Sequence, residues 1–301
     1  MTKSSIVQEV KRSILVILVT TLLTGCDPKF WKMEMWMWSE NHKSMDFYGK
    51  VVDQDNHPVE GVTVTAAVGT YEGPTRSGGQ KYFAKTVVDG RFSFTGIHGA
   101  GCGYWLEKTG YEFNQRQPFA SRPKDYVPDP DTPVVLSIWK LHGAEPMVKA
   151  RIHAYIPCDG TPSVFDLTTG KSVAHEGDLI VRLIRNPVNI VRGKPFSWQL
   201  TFEVSNGGLK EKNDLYPNEA PATGYQQSIT VNMPAEAKNW SPDLQREYYF
   251  TAGSGRDYGR INIDLTGDFQ PPPTSFDADI YMNPAGSRIL EFDPYKQVRN
   301  R

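Results

Sequence analysis

The residues of this 301-residue chain that are able to do chemistry are few and scattered. Six histidines, His42, His57, His98, His142, His153 and His175, show no H-x-x-x-H or H-E-x-x-H spacing, so no metal centre is expected. The run Ala252-Gly-Ser-Gly-Arg256 lacks the G-x-S-x-G elbow and its strand-to-helix setting. No glycine loop opens a helix, which leaves no phosphate cradle and no expected cofactor. Paired acids are the remaining route to catalysis, because a glycosidase needs two carboxyls about 5 to 10 Å apart. Glu203, Asp264, Asp277, Asp279 and Glu291 fall on strand-like runs and are the acids that would serve. Acids on exposed strand faces ordinarily serve solubility, so no catalytic residue is assigned and a glycan hydrolase is kept as the alternative.

Cysteine is the other reactive type, and its three copies divide by position. Cys26 ends the run Ser13 to Cys26, in which Lys11-Arg12 precede a short apolar stretch, Ile14 to Leu23. That stretch is half the ~20 residues needed to cross a bilayer and has the layout of a secretory signal. Its last four residues, Leu23-Thr-Gly-Cys26, resemble the bacterial lipobox. The resemblance implies cleavage before Cys26, acylation of its thiol, and attachment to a membrane of the cell envelope. Asp27 follows, and in the same family of signals an aspartate there implies the periplasmic face of the inner membrane. Cys102 and Cys158 are left as an even pair in a compartment that permits disulfides, and a bond between them is expected. The competing readings are two separate buried thiols or a Cys102/His98 nucleophile in Gly96 to Trp105, but that segment reads as strand, without the cation or helix terminus that activates a thiol.

These residues must be positioned by elements with a period of two. The 33 basic and 34 acidic residues balance to a net charge of −1, which argues against a nucleic-acid footprint and against a basic membrane patch. After the leader, residues 1–25, the segment 26–45 carries Phe30, Trp31, Trp36, Trp38 and four methionines. Met33, Met35 and Met37 alternate with Glu34, Trp36 and Trp38, predicting a strand packed on a domain. The other reading seats the Trp and Met side chains at a bilayer interface.

From Tyr48 onward, short alternating runs are separated by turn residues. Val62, Val64, Ala66 and Val68 share one face, Asp89-Gly90 is read as a hairpin turn, and Phe92 and Phe94 alternate with polar neighbours. The series Gly49-x-Val51-x-Asp53, Pro58-Val59-x-Gly61-Val62-x-Val64, Thr86 with Asp89-Gly90-x-Phe92-x-Phe94, and Lys108-x-Gly110-Tyr111 resembles the carboxypeptidase regulatory-like domain. His57 stands where that family usually has glycine, and one residue is added between Thr86 and Asp89. The resemblance implies a transthyretin-like or Ig-like β-sandwich over 46–115 and no active site.

Residues 116–133 are rich in Pro and Asp and read as a linker; Asp125, Asp129 and Asp131 lack the spacing of a calcium loop. Residues 134–301 then supply about nine more alternating runs, with Phe196, Trp198, Leu200, Phe202 and Val204 as the cleanest face. The fold class predicted is all-β, with a second, larger sandwich of the jelly-roll kind after the first. Aromatics in its turn-rich stretches are the binding candidates, led by Trp240, Tyr249 and Tyr258. The sequence therefore points to a membrane-tethered, non-catalytic envelope protein that binds a glycan, a peptidoglycan fragment or an envelope protein.

Overall fold

The computed structural model describes residues 28–117, 119, 121–185, 194–266 and 273–298. The leader, Cys26 and Asp27 lie outside the described residues. The fold is all-β with one α-helix among the described residues, and the chain divides into two compact units between Lys140 and Leu141.

Among the described residues, the first element of the first unit is α1 (Pro28–Asn41), where a strand was expected. The two periods make opposite demands on the methionines. A strand would place Met35 and Met37 on the same face, yet Met37 is 5% exposed and Met35 is 70% exposed. Phe30 to Asn41 contains no Gly, Pro or β-branched residue to oppose a helix. The helix is docked by its side chains: Asn41 donates from Nδ2 to Tyr71 O at 2.8 Å and accepts from Tyr71 N at 2.8 Å. The Trp36 ring lies 5.0 Å from that of Tyr71.

The strands of this unit are β1 (Phe47–Val52), β2 (Thr63–Gly73), β3 (Arg76–Lys85), β4 (Arg91–Phe94), β5 (Gly101–Glu107), β6 (Tyr111–Glu112), β7 (Val134–Ser137) and β8 (Trp139–Lys140). They form sheets β4-β1-β7 and β3-β2-β5, with β6-β8 as a small ribbon. One core joins both larger sheets, through Phe47, Val51 and Leu136 from the first and Val64, Ala66 and Tyr104 from the second. The Asp89-Gly90 turn therefore connects two sheets, since β4 pairs with β1 and β3 pairs with β2. Glycine is required in the turn and on the strand beside it: a Cβ on Gly90, at φ +79°, would lie 2.4 Å from Val51 O, and one on Gly49 of β1 would lie 2.3 Å from the Phe92 ring. Thr86 is buried and uses its hydroxyl twice, donating to Val59 O at 2.7 Å and accepting from Val62 N at 2.9 Å.

β7 corrects the expected boundary at residue 134. It pairs in parallel with β1, from Gly49↔Val134 to Val52↔Ser137, so the first unit keeps the chain through Lys140. The proline-rich crossover before it is tied down by Gln117, whose Oε1 accepts from Ser137 N at 2.8 Å and whose Nε2 donates to Ser137 O at 2.9 Å.

The second unit contains β9 (Met147–Ile156), β10 (Ser163–Phe165), β11 (Leu179–Arg185), β12 (Trp198–Val204), β13 (Gly208–Glu211), β14 (Ser228–Met233), β15 (Leu244–Ala252), β16 (Asp257–Thr266), β17 (Thr274–Asn283) and β18 (Gln297–Val298). A four-stranded sheet, β10-β11-β12-β14, and a six-stranded sheet, β13-β15-β16-β17-β9-β18, enclose one core. Trp198, Leu200, Phe202 and Val204 of β12 all point into it, as their alternation requires. The run around Glu291, read as strand-like, forms no strand: it makes one bridge, Glu219↔Ile289, and buries Leu290 against the outer side of the large sheet.

The expected disulfide is absent: Cys102 and Cys158 are free, buried thiols. Each is an inward residue of a different core, Cys102 on β5 and Cys158 just after β9. The Cys158 sulfur lies 3.1 Å from Thr274 Oγ1, and burial raises the pKa of Cys102. Both thiols thus serve as small core side chains.

Candidate functional site

The sheet β15-β16-β17-β9 turns alternate residues outward, and the register aligns them in rows. Gln245, Asp264, Asp277 and His153 form one row across the four strands. Glu247, Asn262, Asp279 and Arg151 form the next, and Thr266, Ser275 and Tyr155 a third. At about 4.8 Å per strand, the four-residue rows run roughly 14 Å across an open sheet face.

The groups are joined to one another. His153 Nδ1 lies 2.8 Å from Asp277 Oδ1, and Ser275 Oγ donates to Asp277 Oδ2 at 3.3 Å. Arg151 approaches Asp277 at 3.5 Å and Asp279 at 4.0 Å, while Gln245 Nε2 donates to Asp264 Oδ2 at 3.0 Å. Burial pushes the Asp277 carboxyl up, but hydrogen bonds from His153 and Ser275 and the charges of His153 and Arg151 outweigh it, and its pKa falls below the ordinary value. Tyr155 is 67% exposed beside this row, its ring 6.1 Å from that of His153.

The face is bounded at its far end. Arg260, Tyr281 and Lys149 continue the outward rows, but here Tyr249, Met147, Ala220 and Leu290 make a small buried cluster. Arg260 and Lys149 lie over the Tyr281 ring at 4.6 and 5.3 Å, and Phe292 meets its edge at 4.9 Å.

The sequence candidates are placed differently. Tyr249 is 1% exposed, and its phenol is held above the usual pKa by burial and by the Asp214 carboxylate. Tyr258 shares that outer face but is half-buried, with its ring 6.3 Å from that of Tyr225. Trp240 lies elsewhere: its Nε1 donates to Phe196 O at 2.8 Å and its ring meets Phe196 edge-on at 5.3 Å, capping the main core. The acids divide as well. Asp264, Asp277 and Asp279 come together on the open face, Glu203 pairs with Arg182 at 3.1 Å on the other sheet, and Glu291 is buried, accepting from His142 N and Gly143 N at 2.8 Å each.

Tyr155 was missed as a candidate, although a signal exists. In Met147 to Ile156, Lys149, Arg151, His153 and Tyr155 alternate with Val148, Ala150, Ile152 and Ala154, so Tyr155 belongs to the polar face. Among the described residues, Asp53, Asp55 and His57 place ligand atoms within 4.8 Å of one another. Asp53 Oδ1 there already accepts from Asp55 N at 3.0 Å and His57 N at 2.9 Å, which closes the turn after β1. No described helix is long and apolar enough to cross a membrane.

No family model and no curated protein matches the chain. Among solved structures it is similar to a DUF3823 family protein from Bacteroides uniformis, at 13% identity, covering 79% of this chain and 98% of that one, with a TM-score of 0.23. It is also similar to a mutant of the shaft pilin spaA from Lactobacillus rhamnosus GG, at 10% identity, covering 78% and 93%, with a TM-score of 0.23. Scores of this size carry no argument about function.

Proposed function

We propose that this chain is a lipid-anchored, non-catalytic protein of the bacterial envelope that binds a glycan on the outer face of its larger sheet. The observation that carries the binding half is the row His153–Asp277–Asp264–Gln245 with the exposed Tyr155 beside it. A flat array of carboxylates, amide and imidazole offers fixed acceptors and donors to sugar hydroxyls, and an aromatic face stacks on a sugar ring. Cross-linking within the array holds the side chains in place before a ligand arrives, which lowers the ordering cost of binding. The Leu23-Thr-Gly-Cys26 run supports the anchoring half, and the resemblance of residues 46–115 to carboxypeptidase regulatory-like domains supports the role of a non-catalytic module.

Two features favour binding over hydrolysis. A glycosidase acid needs a raised pKa, whereas that of Asp277, in the middle of the row, moves down. Asp264 and Asp277 also stand on the outward sheet face, where the Asp277 side chain keeps 28% of its surface exposed and its partner His153 keeps 64%.

A glycan array probed with the unmodified chain and with Tyr155→Ala and Asp277→Asn tests the reading. Saturable binding that drops at least tenfold in both variants, with no sugar released, is the expected result. Binding that survives both variants places the ligand elsewhere, and turnover lost in Asp277→Asn replaces the reading with the hydrolase.

A further inference from the structure

We infer that α1 is an interfacial helix whose outward stripe lies in the headgroup region of the membrane. Trp31, Met35 and Trp38 follow the i, i+4, i+7 spacing of one helix face, and His42 extends the line by stacking on Trp38 at 4.2 Å between ring centres. Met35 and Trp38 are 70% and 65% exposed, Trp31 is half-buried, and Lys32 and Ser39 border the stripe. The rest of the helix is docked by Met37 in packing, by Asn41 on the Tyr71 backbone and by Trp36 beside the Tyr71 ring, with Phe30 left 52% exposed. A helix apolar on both sides with one side committed to its own domain has an outer face that needs a second solvent.

The chain upstream decides which solvent. Only Asp27 separates Cys26 from the first helical residue, and an extended chain covers at most ~3.6 Å per residue. With acyl chains on Cys26, Pro28 lies within roughly 7 Å of the anchor, about the thickness of one headgroup layer. Tryptophan is the residue type that bilayer interfaces favour, and an in-plane helix buries an apolar face to about that depth. The inference deepens the anchoring reading and rests on it for bringing the helix to the membrane. Its consequence is that α1 adds a second point of attachment, fixing the orientation of the first unit on the surface where a single tether would let it swivel.

The test uses the full chain recovered from membranes and reconstituted in vesicles of three parts phosphatidylethanolamine to one part phosphatidylglycerol. The vesicles carry brominated acyl chains, with bromine either near the headgroup end or near the methyl end. Tryptophan emission is expected to be quenched more by the shallow bromines than by the deep ones. Substituting Trp31→Ser and Trp38→Ser, two of the seven tryptophans, should remove at least half of that quenching while the circular dichroism is retained. Anchored protein with no quenching, or quenching unchanged in the variant, overturns the helix proposal and leaves the anchor standing. Recovery of a chain without acyl groups overturns the anchor instead. Added to the same vesicles, that chain must then show the Trp31- and Trp38-dependent quenching for the helix proposal to hold.

Discussion

Trp240 separates a ligand platform from a core cap, and its truncation gives a sizeable, measurable number. The ring is half-buried against the main core of the second unit, meets Phe196 edge-on, and spends its N–H on the Phe196 carbonyl. A tryptophan buries up to ~250 Å², so half of one at about 25 cal/mol/Å² is worth roughly 3 kcal/mol. A compact denatured state reduces that to about 2 kcal/mol, and the lost hydrogen bond adds about 1 kcal/mol. Trp240→Ala is therefore expected to cost about 3 kcal/mol, which for a unit of this size lowers its melting temperature by roughly 6 to 12 °C. Trp240→Phe keeps most of the packing, loses the N–H, and should cost about 1 kcal/mol. Calorimetry or urea unfolding of both variants, at an unchanged m-value, reads the difference. A loss below about 1 kcal/mol for Trp240→Ala would show that the ring does not cap the core. Glycan binding by folded Trp240→Ala should match that of the unmodified chain.

Thr86→Val keeps the shape of a buried side chain but strands Val59 O and Val62 N, and should cost the first unit about 1 to 3 kcal/mol in urea unfolding. Alkylation of the native chain should spare both Cys102 and Cys158, and both should react once urea unfolds it; a mass corresponding to a linked pair in the unreduced protein would contradict the two free thiols. Asp166 and Asp277 have folded pKa values below their unfolded ones. For Asp166, burial opposes the shift and is outweighed by bonds from the Thr168 hydroxyl and the Thr168 and Thr169 N–H groups. Their stabilisation is complete above the unfolded carboxyl pKa of about 4 and disappears as pH falls through the lower folded values. The urea midpoint should thus fall between pH 5 and pH 2.5, less steeply in Asp166→Asn, and an unchanged slope in that variant would rule out its contribution.

Period-two patterning is local, so the sequence by itself determined most strands and which of their faces turn inward. Val62, Val64, Ala66 and Val68, and the Trp198 to Val204 face, are buried as their alternation requires. Where one pattern satisfies two structures, locality fails. The Met33 to Trp38 run reads as a strand, but it forms a helix docked through Asn41 and Trp36 on Tyr71, with Met37 in and Met35 out. Long-range pairing is equally hidden: Val134 to Ser137 looks like the first strand of a new domain, but its parallel partner lies some eighty residues earlier in β1. Cysteine count suggested a bond, but the inward direction of each side chain in its own core left two thiols. The candidate site shows the same division. Asp264, Asp277, His153 and Gln245 are each legible as outward residues of a strand, but their meeting depends on the register of β15, β16 and β17 with one another and with β9, which comes from much earlier in the chain. That register is set by hydrogen bonds and packing across the sheet, and no single strand encodes it.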